Sequence, residues 1–107
     1  MIELIEIINQ EKIKRSPTEI ANTINKNVED KILEKDDTIM IESEGHKTIK
    51  HYVFDSCDQK FIHYFSSYRS KRYDFKRLNI HHKNIADVWK LWKVPLPESF
   101  YNEIKKE

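Results

Sequence analysis

One cysteine, one glycine and three prolines serve 107 residues, and no apolar run approaches the length of a membrane span. Cys57 alone excludes an intramolecular disulfide and a multi-cysteine zinc site, and it fits a reducing, intracellular compartment. Gly45 alone cannot build a G-x-G-x-x-G turn or a P-loop, so no nucleotide cofactor is expected. Glu3 and Glu6 interrupt the apolar stretch near the amino terminus, so neither a signal peptide nor a membrane span is expected. A cytoplasmic protein without cofactor or membrane partner is the expectation.

What is present is enough for one folded domain spanning residues 1–107. Hydrophobic residues make up 38% and charged residues 35%, and five Phe, five Tyr and two Trp are too many aromatics for a disordered chain. Fifteen Ile stand against two Ala and fifteen Lys against four Arg. That skew follows from A- and T-rich codons, so position has to carry more weight than composition. Charge is unevenly placed although the net is only +1: residues 1–57 carry −4, residues 58–83 carry +5 and residues 84–107 are neutral. An acidic front and a basic middle speak about partners.

Met1, Leu4, Ile5 and Ile8 follow helical spacing and predict a helix over residues 2–12. Ser16-Pro17-Thr18-Glu19 is a helix start, with Ser16 as cap, Pro17 at the first position and Glu19 reaching back to the cap. Val28, Ile32 and Leu33 suggest a third short helix ending near Asp36. From Thr38 the period changes to two. Segments 38–42, 48–54 and 60–65 predict a three-stranded antiparallel meander with the middle segment, apolar on both faces, at its centre. Residues 66–77 show no clean period. Asn84 as cap, followed by Ile85, Val88, Trp89 and Trp92, predicts an amphipathic helix packed through both tryptophans, and Pro97 starts a last one with Phe100, Tyr101 and Ile104.

Helix, turn, capped helix, third helix and a hairpin tipped by Gly45 resemble, over residues 2–54, the winged-helix variety of helix-turn-helix domain. The resemblance implies a recognition helix at residues 28–36 and a wing at 42–50. Residues 28–37 are net −3, which is the wrong sign for phosphate contact. Glu29, Asp30, Glu34, Asp36 and Asp37 instead describe an acidic surface suited to a basic protein partner.

The basic stretch is the better nucleic-acid candidate. Lys60, Arg69, Lys71, Arg72, Lys76 and Arg77 interleave with Tyr64, Phe65, Tyr68, Tyr73 and Phe75, offering cations for phosphate and rings for base stacking. Three of the four arginines lie within 69–77, against the lysine bias of the codons. His46, His51, Cys57, His63, His81 and His82 lack paired metal-ligand spacing, so no metal is expected. A metal-dependent nuclease drawn from Glu42, Glu44, Lys47 and Asp55 or Asp58 ranks behind a solvated turn edge.

The reading as a whole is α+β: three amino-terminal helices with a winged-helix-like front half, a three-stranded antiparallel sheet, and two carboxy-terminal helices. The expected function is that of a small non-enzymatic intracellular regulator that binds DNA or RNA through Lys60, Tyr68, Arg69, Lys71, Arg72, Tyr73, Lys76 and Arg77. The alternative is a protein-binding inhibitor or adaptor, of the kind mobile genetic elements encode, docking its acidic surface on a basic partner.

Overall fold

In a computed structural model, residues 4–43, 50–66 and 80–98 are described, and they form one α-helix and six strands. Helix α1 (Pro17–Glu29) begins as its sequence dictates. Ser16 is the N-cap, its hydroxyl accepts from the Glu19 N–H at 3.2 Å and reaches the Glu19 carboxylate at 3.1 Å, and Pro17 opens the first turn. The helix ends in a Schellman motif, with Lys31 N–H donating to Val28 C=O at 3.1 Å and Ile32 N–H to Asn27 C=O at 2.9 Å. Lys31 takes the left-handed position, φ 60°, that glycine usually fills in such a motif.

The strands are β1 (Ile5–Asn9), β2 (Thr38–Ser43), β3 (Lys50–Cys57), β4 (Phe61–Phe65), β5 (Ile80–Asn84) and β6 (Val88–Lys93). They make a single antiparallel sheet in the order β1-β6-β2-β3-β4-β5, and a 3₁₀ turn (Ile85–Asp87) leads into β6. Ile20, Ala21 and Ile24 of α1 pack on one face of the sheet, against Ile8, Ile39, Ile41, Phe54, Ile62, Val88 and Leu91. Burial of these side chains, worth about 1.5–3 kcal/mol for each large aliphatic, is the main source of stability. The opposite face carries a smaller cluster of Val53 and Phe65 with Ile80 beside it. Register places Glu6, Trp92, Met40 and His51 in one row across β1, β6, β2 and β3 on that second face. No described helix packs there.

This architecture corrects the expected one. Residues 2–12 hold strand β1, not a helix; no helix follows α1 at 28–36, where the chain turns through Lys31 and Asp36 at positive φ; and 84–92 is a 3₁₀ turn and a strand. The recognition helix implied by the winged-helix resemblance is therefore missing, and six strands replace three. Segments 38–42, 48–54 and 60–65 do supply β2, β3 and β4 as neighbours in that order, inside a larger sheet. Trp89 and Trp92 are half-buried on β6 and not on a helical face. Gly45, and the helix expected after Pro97 with Phe100, Tyr101 and Ile104, lie outside the described residues.

The physical cause of the false helices at residues 2–12 and 84–92 is the β-bulge. Ile7 is the extra residue in β1, since Glu6 pairs with Trp92 and Ile8 with Leu91. Trp89 is the extra residue in β6, since Glu42 pairs with Lys90 and Ser43 with Val88. One inserted residue stretches the strand period from two to three, so Ile5 and Ile8, or Val88 and Leu91, share a face at a spacing that imitates a helix. The scarcity of alanine, the best helix former, points the same way.

Among the described residues no helix is long and apolar enough to cross a membrane.

Candidate functional site: the β3–β4 turn and its facing histidines

Asp58 organises the turn between β3 and β4. Its Oδ1 accepts the backbone N–H of Lys60 at 2.7 Å and of Phe61 at 2.8 Å, while its own N–H donates to Phe61 C=O at 3.0 Å. These bonds close an Asx-type turn without glycine. Its other oxygen, Oδ2, lies 2.7 Å from His63 Nε2. That hydrogen bond, followed by those from Lys60 and Phe61, holds the Asp58 carboxyl down at about 2, so the group is an anion at any physiological pH.

Strand alternation then gathers rings. Phe61, His63 and Phe65 share one face of β4, and His63 stands directly opposite His82 of β5. The two imidazole centroids are 6.4 Å apart. Phe61 meets His82 edge-on at 4.9 Å and lies 6.3 Å from His63. The group is half-buried at Phe61 and His63 and exposed at His82 and Asp58, so a flexible ligand reaches it from solvent. Among the described strands β5 lies at the edge of the sheet, next to this group.

Two potential nucleophiles border the group. Ser56 faces His63 across the strand pair, but its hydroxyl lies 3.0 Å from Asp55 Oδ2 and donates there. The Cys57 thiol sits on the helix side against the core and is pushed up to about 12, by burial first and by the Asp58 charge second. It stays protonated and inert. Among the described residues no group of three or more His, Cys, Asp or Glu side chains is arranged to hold a metal ion.

Of the residues singled out for nucleic-acid binding, Lys60 is exposed on this same turn. Tyr68, Arg69, Lys71, Arg72, Tyr73, Lys76 and Arg77 lie outside the described residues, in the connection that joins β4 to β5. The acidic set is placed at the end of α1 and the turns after it. Asp30 pairs with Lys26 at 3.4 Å, and Asp37 pairs with Lys93 at 3.1 Å and accepts Glu34 N–H at 2.7 Å. Asp36 is half-buried, while Glu29 and Glu34 are exposed. Sequence reading overlooked Asp58, Phe61, His63 and His82 as a group. The alternation Phe61-x-His63-x-Phe65 carried part of the signal; the register that adds His82 is set by pairing across a connection whose length does not fix it.

No family model matches the chain, no curated protein matches it in sequence, and no solved structure matches it in fold.

Proposed function

We propose that the chain binds single-stranded nucleic acid at the β4–β5 end of the sheet, bases stacking on the partly exposed ring group and phosphates meeting the basic connection between the two strands. The observation that supports this most is the convergence of Phe61, His63 and His82 on one accessible face, with Lys60 on the same turn. Stacking on such rings is worth about 1–3 kcal/mol per base and tolerates any sequence. The segment 58–83, +5 in charge, runs through Lys60, leads into β4, and returns along β5 to Lys83. The acidic-surface alternative is weaker on the same grounds: Asp30 and Asp37 already have intramolecular cations, and Asp37 also caps a backbone N–H.

Fluorescence anisotropy of a labelled single-stranded oligonucleotide, titrated between about 50 and 200 mM salt, tests the proposal. Affinity is expected to fall with salt, and changing Arg69, Arg72 and Arg77 together to Gln is expected to flatten the slope of log affinity against log salt by about two units, at about 0.7 per phosphate contact. Phe61→Ala is expected to weaken binding without changing that slope. Absence of binding at the lowest salt refutes the reading and leaves capture of a basic protein as the surviving use of the surface.

A further inference from the structure

We propose that His63 and His82 form an acid–base pair that cleaves RNA through the substrate's own 2′-hydroxyl, with Asp58 as the positioning residue for His63. The inference rests on the nucleic-acid reading above and adds a reaction to a chain whose sequence suggests binding alone.

Three observations carry it. The first is the pair itself: two imidazoles face each other across neighbouring strands with centroids 6.4 Å apart, which leaves room for a phosphodiester between them. Each ring nitrogen then needs to come within about 2.6–3.2 Å of the proton it moves. The second is the carboxylate. His63 Nε2 is 2.7 Å from Asp58 Oδ2, so the neutral ring carries its proton on Nε2 and presents the Nδ1 lone pair as a base. An ionised carboxylate behind a basic imidazole fixes its tautomer and stabilises the imidazolium that forms, and Asp58 is itself fixed by two backbone N–H donors. The third is that, among the described residues, neither potential nucleophile bordering the site is free to attack. Ser56 donates to Asp55, and the Cys57 thiol is half-buried against the core on the other face of the sheet. The chemistry these side chains support is therefore one in which the substrate brings its own nucleophile, as the ribose 2′-hydroxyl does and deoxyribose cannot.

The step balances without any further reactant. His63 Nδ1 takes the 2′-hydroxyl proton as the 2′-oxygen attacks the adjacent phosphorus. The bond from phosphorus to the 2′-oxygen forms, the bond to the 5′-oxygen of the next nucleotide breaks, and the imidazolium of His82 gives its proton to that departing oxygen. The products are a 2′,3′-cyclic phosphate and a 5′-hydroxyl. His63 ends protonated and His82 neutral, and proton exchange with solvent restores the starting forms. Phe61, T-shaped to His82 at 4.9 Å, packs against that ring and holds it.

The test incubates the full chain, in chelator, with a labelled RNA oligonucleotide of mixed sequence and with its fully 2′-O-methylated counterpart. Cleavage of the RNA alone, leaving 2′,3′-cyclic phosphate ends, is expected. His63→Gln and His82→Gln, assayed with the RNA saturated by protein, are each expected to lower the cleavage rate at least about a hundredfold, the usual contribution of a positioned acid or base, while still binding the methylated strand, more weakly by the stacking that each ring supplied. His81→Gln, which alters the neighbouring side chain on the other face of β5, is expected to cleave normally and controls for contaminating nuclease. Asp58→Asn keeps an acceptor for the turn and is expected to slow cleavage and move its pH profile. The groups facing His63 are Asp58 from the turn, Ser56 from β3 and His82 from β5, and only the first is altered. Binding of the methylated strand with no cleavage of the RNA, or cleavage that survives loss of both histidines, overturns the inference and leaves the binding reading standing. Failure to bind either strand overturns both.

Discussion

Gln10 is a buried polar side chain whose two ends are both used, and its replacement gives a sharp test of the packing described. It is 4% exposed just after β1, donates through Nε2 to the Val88 carbonyl, and accepts Arg15 N–H at 2.8 Å through Oε1. Its own N–H donates to Trp89 C=O at 3.1 Å. The side chain thus ties the end of β1 to the start of β6 and to the approach to α1. Gln10→Met preserves length and volume but strands both partners. The buried Val88 carbonyl loses about 2 kcal/mol and the partly accessible Arg15 N–H about 1 kcal/mol. Burying a more apolar side chain returns about 1 kcal/mol, so the net loss is about 2 kcal/mol. In urea, with an m-value of about 2 kcal/mol/M, the midpoint is expected to fall by about 1 M at unchanged m. Gln10→Glu sharpens the comparison. It keeps the acceptor for Arg15 but points a carboxylate at a carbonyl, so at neutral pH it is expected to be less stable than the Met variant. It should recover in acid, when the protonated carboxyl regains a donor. A Met variant within about 0.5 kcal/mol of the unaltered chain, the range of an ordinary surface change, refutes the reasoning.

Lys31→Gly is expected to raise stability by about 0.5–1 kcal/mol, because the left-handed φ of 60° at the end of α1 penalises a side chain; a lower midpoint in the same urea titration contradicts the assignment. Asp58 gives a pH prediction with a definite sign. Its folded value, about 2, lies below the ordinary value of about 3.9, so its contribution is fully present above pH of about 4 and is lost as pH falls through the folded value. A carbon-detected titration of its carboxyl should show that low midpoint, and His63→Gln should move it upward because the His63 hydrogen bond is the largest cause; an unmoved midpoint shows that another group holds the charge.

Legibility in the sequence tracked how local each determinant was. The start of α1 was readable because Ser16, Pro17 and Glu19 satisfy their own neighbours' N–H groups within one turn. β2, β3 and β4 were readable because they alternate or carry β-branched and aromatic runs, and because consecutive strands tend to pair. β1 and β6 were misread because Ile7 and Trp89 bulge, and a bulge is specified by the partner strand and not by the bulging residue's type. The same limit applies to the site. Asp58 with Lys60 and Phe61 is a local turn, whereas the meeting of His63 with His82 depends on a register fixed only when Phe65 pairs with Ile80 and Phe61 with Asn84.

Strand order also separates what holds the fold from what acts on a ligand. β6 lies between β1 and β2, so the last described strand completes the sheet from the inside and joins residues at opposite ends of the chain. That half of the sheet, with α1 on it, contains Ile8, Ile39, Ile41, Val88 and Leu91, and its contacts form only after long loops close. β2 to β5 form a local meander, each strand beside the one before it, and the ring group stands on β4 and β5, the outermost pair of the described strands. His63 and His82 project from the face that α1 does not cover, whereas Ile62 between Phe61 and His63 points into the core. Alternation thus lets β4 contribute to the core through one face and to the site through the other. It follows that changes at His82 should leave stability nearly untouched and a change at His63 should cost only its solvent-accessible hydrogen bond to Asp58, while Ile62→Ala should cost about 2–5 kcal/mol. Loss of ligand binding or cleavage in the histidine variants can therefore be read as an effect on the site.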